Sequence, residues 1–212
     1  MIITKQKNVE ELLRCVDSKP VFLIGCSQCA TICHTGGKDE VIALKKAFET
    51  KKIPVSGWVI LEPACHQMND KRMLKDNAEE LKKSEKILVL ACGNGIQTIA
   101  GLIPEKEIIA GTDTLFLGEI THASEFHKRC IMCGECLLEL YGGLCPVSQC
   151  PKSMLNGPCG GSSHGKCEIN QQIECIWDRI IQNMKKRGTL QALSNIQQPK
   201  DWSKAGEMNR RI

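Results

Sequence analysis

Cysteine placement constrains this chain more than any other feature. Eight of its fourteen cysteines fall within residues 130–175, together with seven glycines. That stretch shows little helical or strand periodicity, so it cannot bury enough apolar area to fold unaided. Either disulfides or metal bonds must supply the missing stabilisation. The N-terminus, MIITKQKNVEELLRC, has early charges and no apolar run of seven or more residues, so it does not read as a secretory signal. No stretch approaches the roughly 18 consecutive apolar residues of a membrane span. A cytoplasmic location is therefore expected, where disulfides are rare. Thiolates there serve as soft ligands for iron–sulfur clusters and zinc. Metal binding then doubles as folding energy.

Ahead of the cysteine-rich stretch, the pattern is that of an α/β fold. Residues 19–26 (KPVFLIGC), 54–62 (PVSGWVILE), 86–91 (KILVLA) and 107–111 (EIIAG) read as strands. Helical spacing of apolar residues appears over 39–51 and 69–84, with a short helix near 95–102. Strands alternating with helices predict a Rossmann-like parallel sheet. The near-continuous apolar runs predict strands buried on both faces. Ligands of such sheets bind beyond the carboxyl ends of the strands. Cys26, Cys65 and Cys92 each stand at or just after a strand end. Residues 1–120 are thus expected to form this domain, 121–195 a Cys-rich metal domain, and 196–212 a polar tail.

Two cysteine constellations follow. In the first, Cys26, Cys29 and Cys33 form C-x2-C-x3-C. Three thiolates in a short loop plus a distant fourth suit a cubane [4Fe–4S] cluster. Cys65 and Cys92 compete for the fourth position, and the sequence does not choose between them. The Cys26–Cys29 pair also admits a thioredoxin-like dithiol, a reading that Cys33 and the strand-end cysteines oppose, and zinc is a further option. His34 and His66 read as solvated or capping residues, and Cys15 as a packed thiol within a short helix.

In the second constellation, Cys130, Cys133 and Cys136 form C-x2-C-x2-C, the opening of a bacterial ferredoxin run. The run then departs from that pattern, with Cys145-Pro146 and Cys150-Pro151 following, then Cys159, Cys167 and Cys175. Eight thiolates fill two cubanes. The preferred grouping is Cys130, Cys133, Cys136 and Cys145 for one, and Cys150, Cys159, Cys167 and Cys175 for the other. Zinc is the alternative for the second, more widely spread set. Two or three clusters would take the formal charge from +4 to roughly between zero and −2. With no run of five or six like charges, neither a nucleic-acid arm nor a polybasic membrane patch is expected. No G-x-G-x-x-G occurs, since Gly93-Asn94-Gly95 continues as Ile-Gln-Thr, so no nicotinamide is expected on this chain.

The run GLCPVSQCPKSMLNGPCGGSSHGKCEI, followed by CIW, resembles the C-terminal domain family of methylenetetrahydrofolate reductases. Cys150, the NGPCGG around Cys159, the GKCE around Cys167, and Cys175 before Trp177 carry that resemblance. With GCSQCATICHTGG and LACGNGIQT, the chain is similar to the small iron–sulfur subunit of the two-subunit enzymes of acetogenic and other anaerobic bacteria. The resemblance implies a partner: a flavin-bearing TIM barrel that reduces methylene- to methyl-tetrahydrofolate. A (β/α)8 domain needs about 250 residues, and four strands cannot make one. FMN or FAD and the folate site are therefore expected on the partner. This chain would pass electrons to that flavin from ferredoxin or a nicotinamide-oxidising subunit. The competing expectation is a zinc-binding structural adaptor for the catalytic subunit.

Overall fold

The structure, a computed structural model, describes residues 1–122 and 125–206. The chain divides into two compact units, Met1–Phe116 and Leu117–Ile212.

The first unit opens with β1 (Ile2–Gln6) and α1 (Val9–Val16), the helix capped by the Asn8 side chain accepting from the Glu10 N–H at 2.9 Å. The α/β body follows: β2 (Val21–Cys26), α2 (Cys29–Ile32), α3 (Lys38–Thr50), β3 (Val55–Leu61), α4 (Gln67–Asp76), α5 (Ala78–Lys83), β4 (Lys86–Leu90), α6 (Gly93–Leu102) and β5 (Glu107–Ala110). The four strands β2 to β5 pair in parallel in the order β3-β2-β4-β5. Every residue of β2 is buried, and alternate side chains serve different cores. Phe22 and Ile24 join Ile87, Val89, Leu61 and Ile99 on one face. Val21 and Leu23 join Leu88, Leu90, Val41 and Phe48 on the other. Two covered faces explain why the strand is apolar without alternation.

The strand order places a switch in chain direction between β2 and β4. Chain connections leave the two strands toward opposite sides there, opening a crevice beyond their carboxyl ends. The helical pattern over 69–84 resolves into two helices, α4 and α5. The break falls at Asn77, whose Nδ2 donates to the Met73 carbonyl at 2.8 Å, competing with regular helix bonding.

Two strands lie around the expected boundary between residues 120 and 121. β6 (Thr112–His122) neighbours β1, and from Leu117 to His122 it pairs antiparallel with β7 (Glu125–Cys130). Beyond β7 come a 3-10 turn at Leu138–Tyr141, the short helix α7 (Pro146–Gln149), α8 (Ile176–Arg187) and 3-10 turns at Leu190–Ser194 and Trp202–Ala205. This unit does own a small apolar core: Tyr141, Ile176, Trp177, Ile180 and Met184 are buried together. The Tyr141 and Trp177 rings meet edge to face at 5.7 Å. Both polar tips find backbone partners, Tyr141 Oη donating to Leu155 O at 3.1 Å and Trp177 Nε1 to Met154 O at 3.0 Å. Among the described residues no helix is long and apolar enough to cross a membrane.

Candidate metal centres

In the first unit, five cysteines gather at the carboxyl edge of the parallel sheet. Cys26 is the last residue of β2, Cys65 follows β3, and Cys92 follows β4 as the N-cap of α6. The loop after β2 is folded back by backbone bonds: Cys26 N donates to Gly36 O at 2.8 Å and Ser27 N to Leu61 O at 2.9 Å. Gly36 is pressed so closely against the Leu90 carbonyl that a Cβ there would clash with it. Close backbone approach, not left-handed geometry, is what requires glycine at this point. On the far side of the crevice, the Gly93 N–H donates to Thr114 Oγ1 at 2.7 Å, fixing the start of α6 beside Cys92.

The five thiols are not equivalent. The Cys65 thiol is held above its ordinary range, first by loss of solvent around it, although the residue as a whole is exposed, and then by the charges of Cys92, Cys26 and Cys29. Those neighbouring sulfurs work against ionising Cys65. Such a set holds four thiolates only around a positive centre. Cys33 meets the backbone of β1, its thiol facing the Ile2 carbonyl at 3.7 Å. The Ile2 N–H donates to Cys29 Sγ at 3.4 Å, the kind of N–H···S bond that tunes cluster potentials. His66 caps α4, its Nδ1 accepting from the Asn69 N–H at 3.2 Å, and His34 is an exposed side chain 3.9 Å from Glu40.

In the second unit, the eight remaining cysteines of interest separate into two cavities. Cys130, Cys133, Cys136 and Cys145 line one of about 80 Å³, amid Leu137, Leu138, Tyr141 and Val147. Cys150, Cys159, Cys167 and Cys175 line a smaller one of about 20 Å³. The first is built on the end of β7, where Cys130 is the terminal residue and its Sγ accepts from the Met132 N–H at 3.2 Å. Arg129 anchors this strand end to α7: its carbonyl accepts from Ser148 Oγ at 2.7 Å and its guanidinium donates to Gln149 Oε1 at 3.0 Å.

Helix α7 belongs to both cavities. Cys145 is its N-cap and Cys150 its C-cap. At 1.5 Å rise per residue, the five-residue step separates their Cα atoms by about 8 Å. The second cavity is closed by loop bonds, Cys175 N donating to Gly165 O at 2.8 Å and Cys167 N to Ile173 O at 3.1 Å. Sequence reasoning gave no sign of the charged pair inside it. Lys152 contacts the Glu168 carboxylate, which also accepts from Cys159 Sγ at 3.1 Å.

Each cavity of the second unit is lined by four thiols, a soft donor set of the kind that iron–sulfur clusters and zinc take. Among the described residues, no three His, Cys, Asp or Glu side chains are grouped to hold a single metal ion.

Residues 109–203 match the family model described as methylene-tetrahydrofolate reductase C terminal. The matched span takes in all eight cysteines of both cavities and stops short of the five at the parallel sheet. It links the second unit to the methylenetetrahydrofolate reductases. No curated protein and no solved structure matches the chain.

Proposed function

We propose that this chain is an iron–sulfur electron-transfer subunit of a methylenetetrahydrofolate reductase, delivering electrons to the flavin of a separate catalytic subunit. The observation that carries the reading is the sorting of eight cysteines into two four-thiol cavities, inside the segment matched to the reductase C terminal. A cubane, when bound, accepts and returns one electron at a time. The residues of this chain would hold the thiolates, and the Ile2 and Met132 N–H groups reach two of the sulfurs. Cys130, Cys133, Cys136 and Cys145 would hold one cluster, and Cys150, Cys159, Cys167 and Cys175 the other. At the parallel sheet, Cys26, Cys29, Cys65 and Cys92 would hold a third, with Cys33 outside the set. Helix α7 brings the two C-terminal sites within one short helix of each other, as an electron path needs.

Ferredoxin or a nicotinamide-oxidising subunit would supply the electrons. The flavin, FMN or FAD, and the folate would sit on the partner barrel, since four parallel strands make no (β/α)8 site. The test is to mix the anaerobically reduced chain with the flavoprotein and follow flavin absorbance. Wild-type chain should bleach the flavin, and Cys159→Ala should slow bleaching by about tenfold or more. Equal rates from the two would contradict a route through the second cavity.

One observation favours a second reading for that cavity alone. It is the smaller of the two and pairs a carboxylate, Glu168, with its cysteines, a mixed donor set that zinc accepts. Zinc there would make the Cys159 loop a structural brace for the catalytic subunit.

A further inference from the structure

Residues 196–212 read from sequence as a polar tail, yet their described part is fastened to the first four-cysteine cavity. Asn156 and Gln197 exchange two hydrogen bonds: Asn156 Nδ2 donates to Gln197 O at 2.9 Å, and Gln197 N donates to Asn156 Oδ1 at 2.7 Å. Three residues further on, Lys200 turns inward. Its side chain is 3% exposed and lines the cavity with Cys130, Cys133, Cys136 and Cys145. The ammonium donates to the Glu135 carbonyl at 2.5 Å and lies 3.6 Å from Glu135 Oε2. Lys204 meets the other oxygen of the same carboxylate at 2.5 Å. Gly134, between the paired cysteines, has φ +76°, and a Cβ on it would lie 2.5 Å from the Lys204 carbonyl. Loop and strap are therefore in backbone contact.

A buried lysine is rare and costly unless something in its surroundings calls for the charge. Glu135 meets both lysines, and Lys204 has Asp201 as a further acidic neighbour. The other cation at the cavity, Arg129, has a carboxylate to itself, Glu119 at 2.5 Å. Asp201 adds a second negative charge beside Lys204, so the group balances in number, and Lys200 stands apart as its buried member, shielded from salt.

We propose that Lys200 is the resident positive charge of the first four-cysteine site, and that it raises the reduction potential of the cluster held there. This rests on the iron–sulfur reading above. Four thiolates around a cubane core carry net negative charge, and the added electron deepens it. A nearby ammonium in a poorly solvated wall stabilises the more negative state more strongly. The strap of residues 195–206 is then part of the redox site, not a tail.

The test uses the full chain, purified anaerobically, as wild type, Lys200→Met, Lys200→Gln and Lys200→Arg. Iron and sulfide per chain are measured first, followed by equilibrium redox titration read by absorbance and electron paramagnetic resonance. With iron content at wild-type level, Met and Gln should shift one potential downward, and Arg should restore it. Loss of one cluster in Met and Gln, but not in Arg, would equally assign the charge to the site. Unchanged potentials at full iron content would overturn the proposal, as would loss of the cluster in Arg alongside the others, which would make Lys200 mere packing. A wild-type chain without iron would instead bring down the cluster reading on which it rests.

Discussion

Cys33, the last cysteine of the C-x2-C-x3-C loop, and Cys65, just beyond β3, are both ligand candidates in sequence, and the fold gives them different surroundings. Cys65 shares electrostatic reach with Cys26, Cys29 and Cys92. Cys33 is absent from that set; its thiol and that of Cys29 both meet the Ile2 backbone, contacts that spacing could not reveal because β1 lies some thirty residues away in the chain. The substitution pair Cys65→Ser and Cys33→Ser separates them. Cys65→Ser should lower iron by about four per chain, one cubane's worth, while Cys33→Ser should keep it, both measured on anaerobically purified protein. The reverse result would put Cys33 among the ligands and Cys65 outside. Lys200 marks the limit of reading at this scale. A lysine in a polar stretch carries no sign of burial, and only the strap's hydrogen bonds to Asn156 and Glu135 turn it inward.

Among the elements, the parallel strands were the most legible in sequence. Burial on both faces demands uninterrupted apolar runs, and VFLIG and ILVL supply them. β1, β6 and β7 were not legible, for two physical reasons. A five-residue strand such as β1 is too short to show a period. β6 and β7 are largely exposed or half-exposed on both faces, so no apolar alternation marks them. The loop after β2 depends on an element contact of another kind, Gly36 against the Leu90 carbonyl of β4. Gly36→Ala has no room for its methyl and should cost about 1–3 kcal/mol, as overpacking does. It should also displace the loop that carries Cys29, lowering iron at the sheet edge. Chemical denaturation and iron content check both effects, and a variant of wild-type stability and iron would show that the loop does not rest on this contact.

At the scale of the whole molecule, two kinds of construction stand side by side. The first unit buries two apolar faces of a sheet and places its cysteines along one edge. The second has only a five-residue buried core around Trp177 and wraps eight cysteines about two cavities. Order along the chain suggests a division into two sets of four, and the linings of the two cavities follow the same two sets. Which metal they take is a matter of chemistry that order does not record. The direct measurement is iron, acid-labile sulfide and zinc per chain on protein purified without oxygen. The expected result is about eight to twelve irons with matching sulfide, two or three cubanes. Near-zero iron with one or more zincs per chain would contradict an electron-transfer role and leave the chain a structural adaptor.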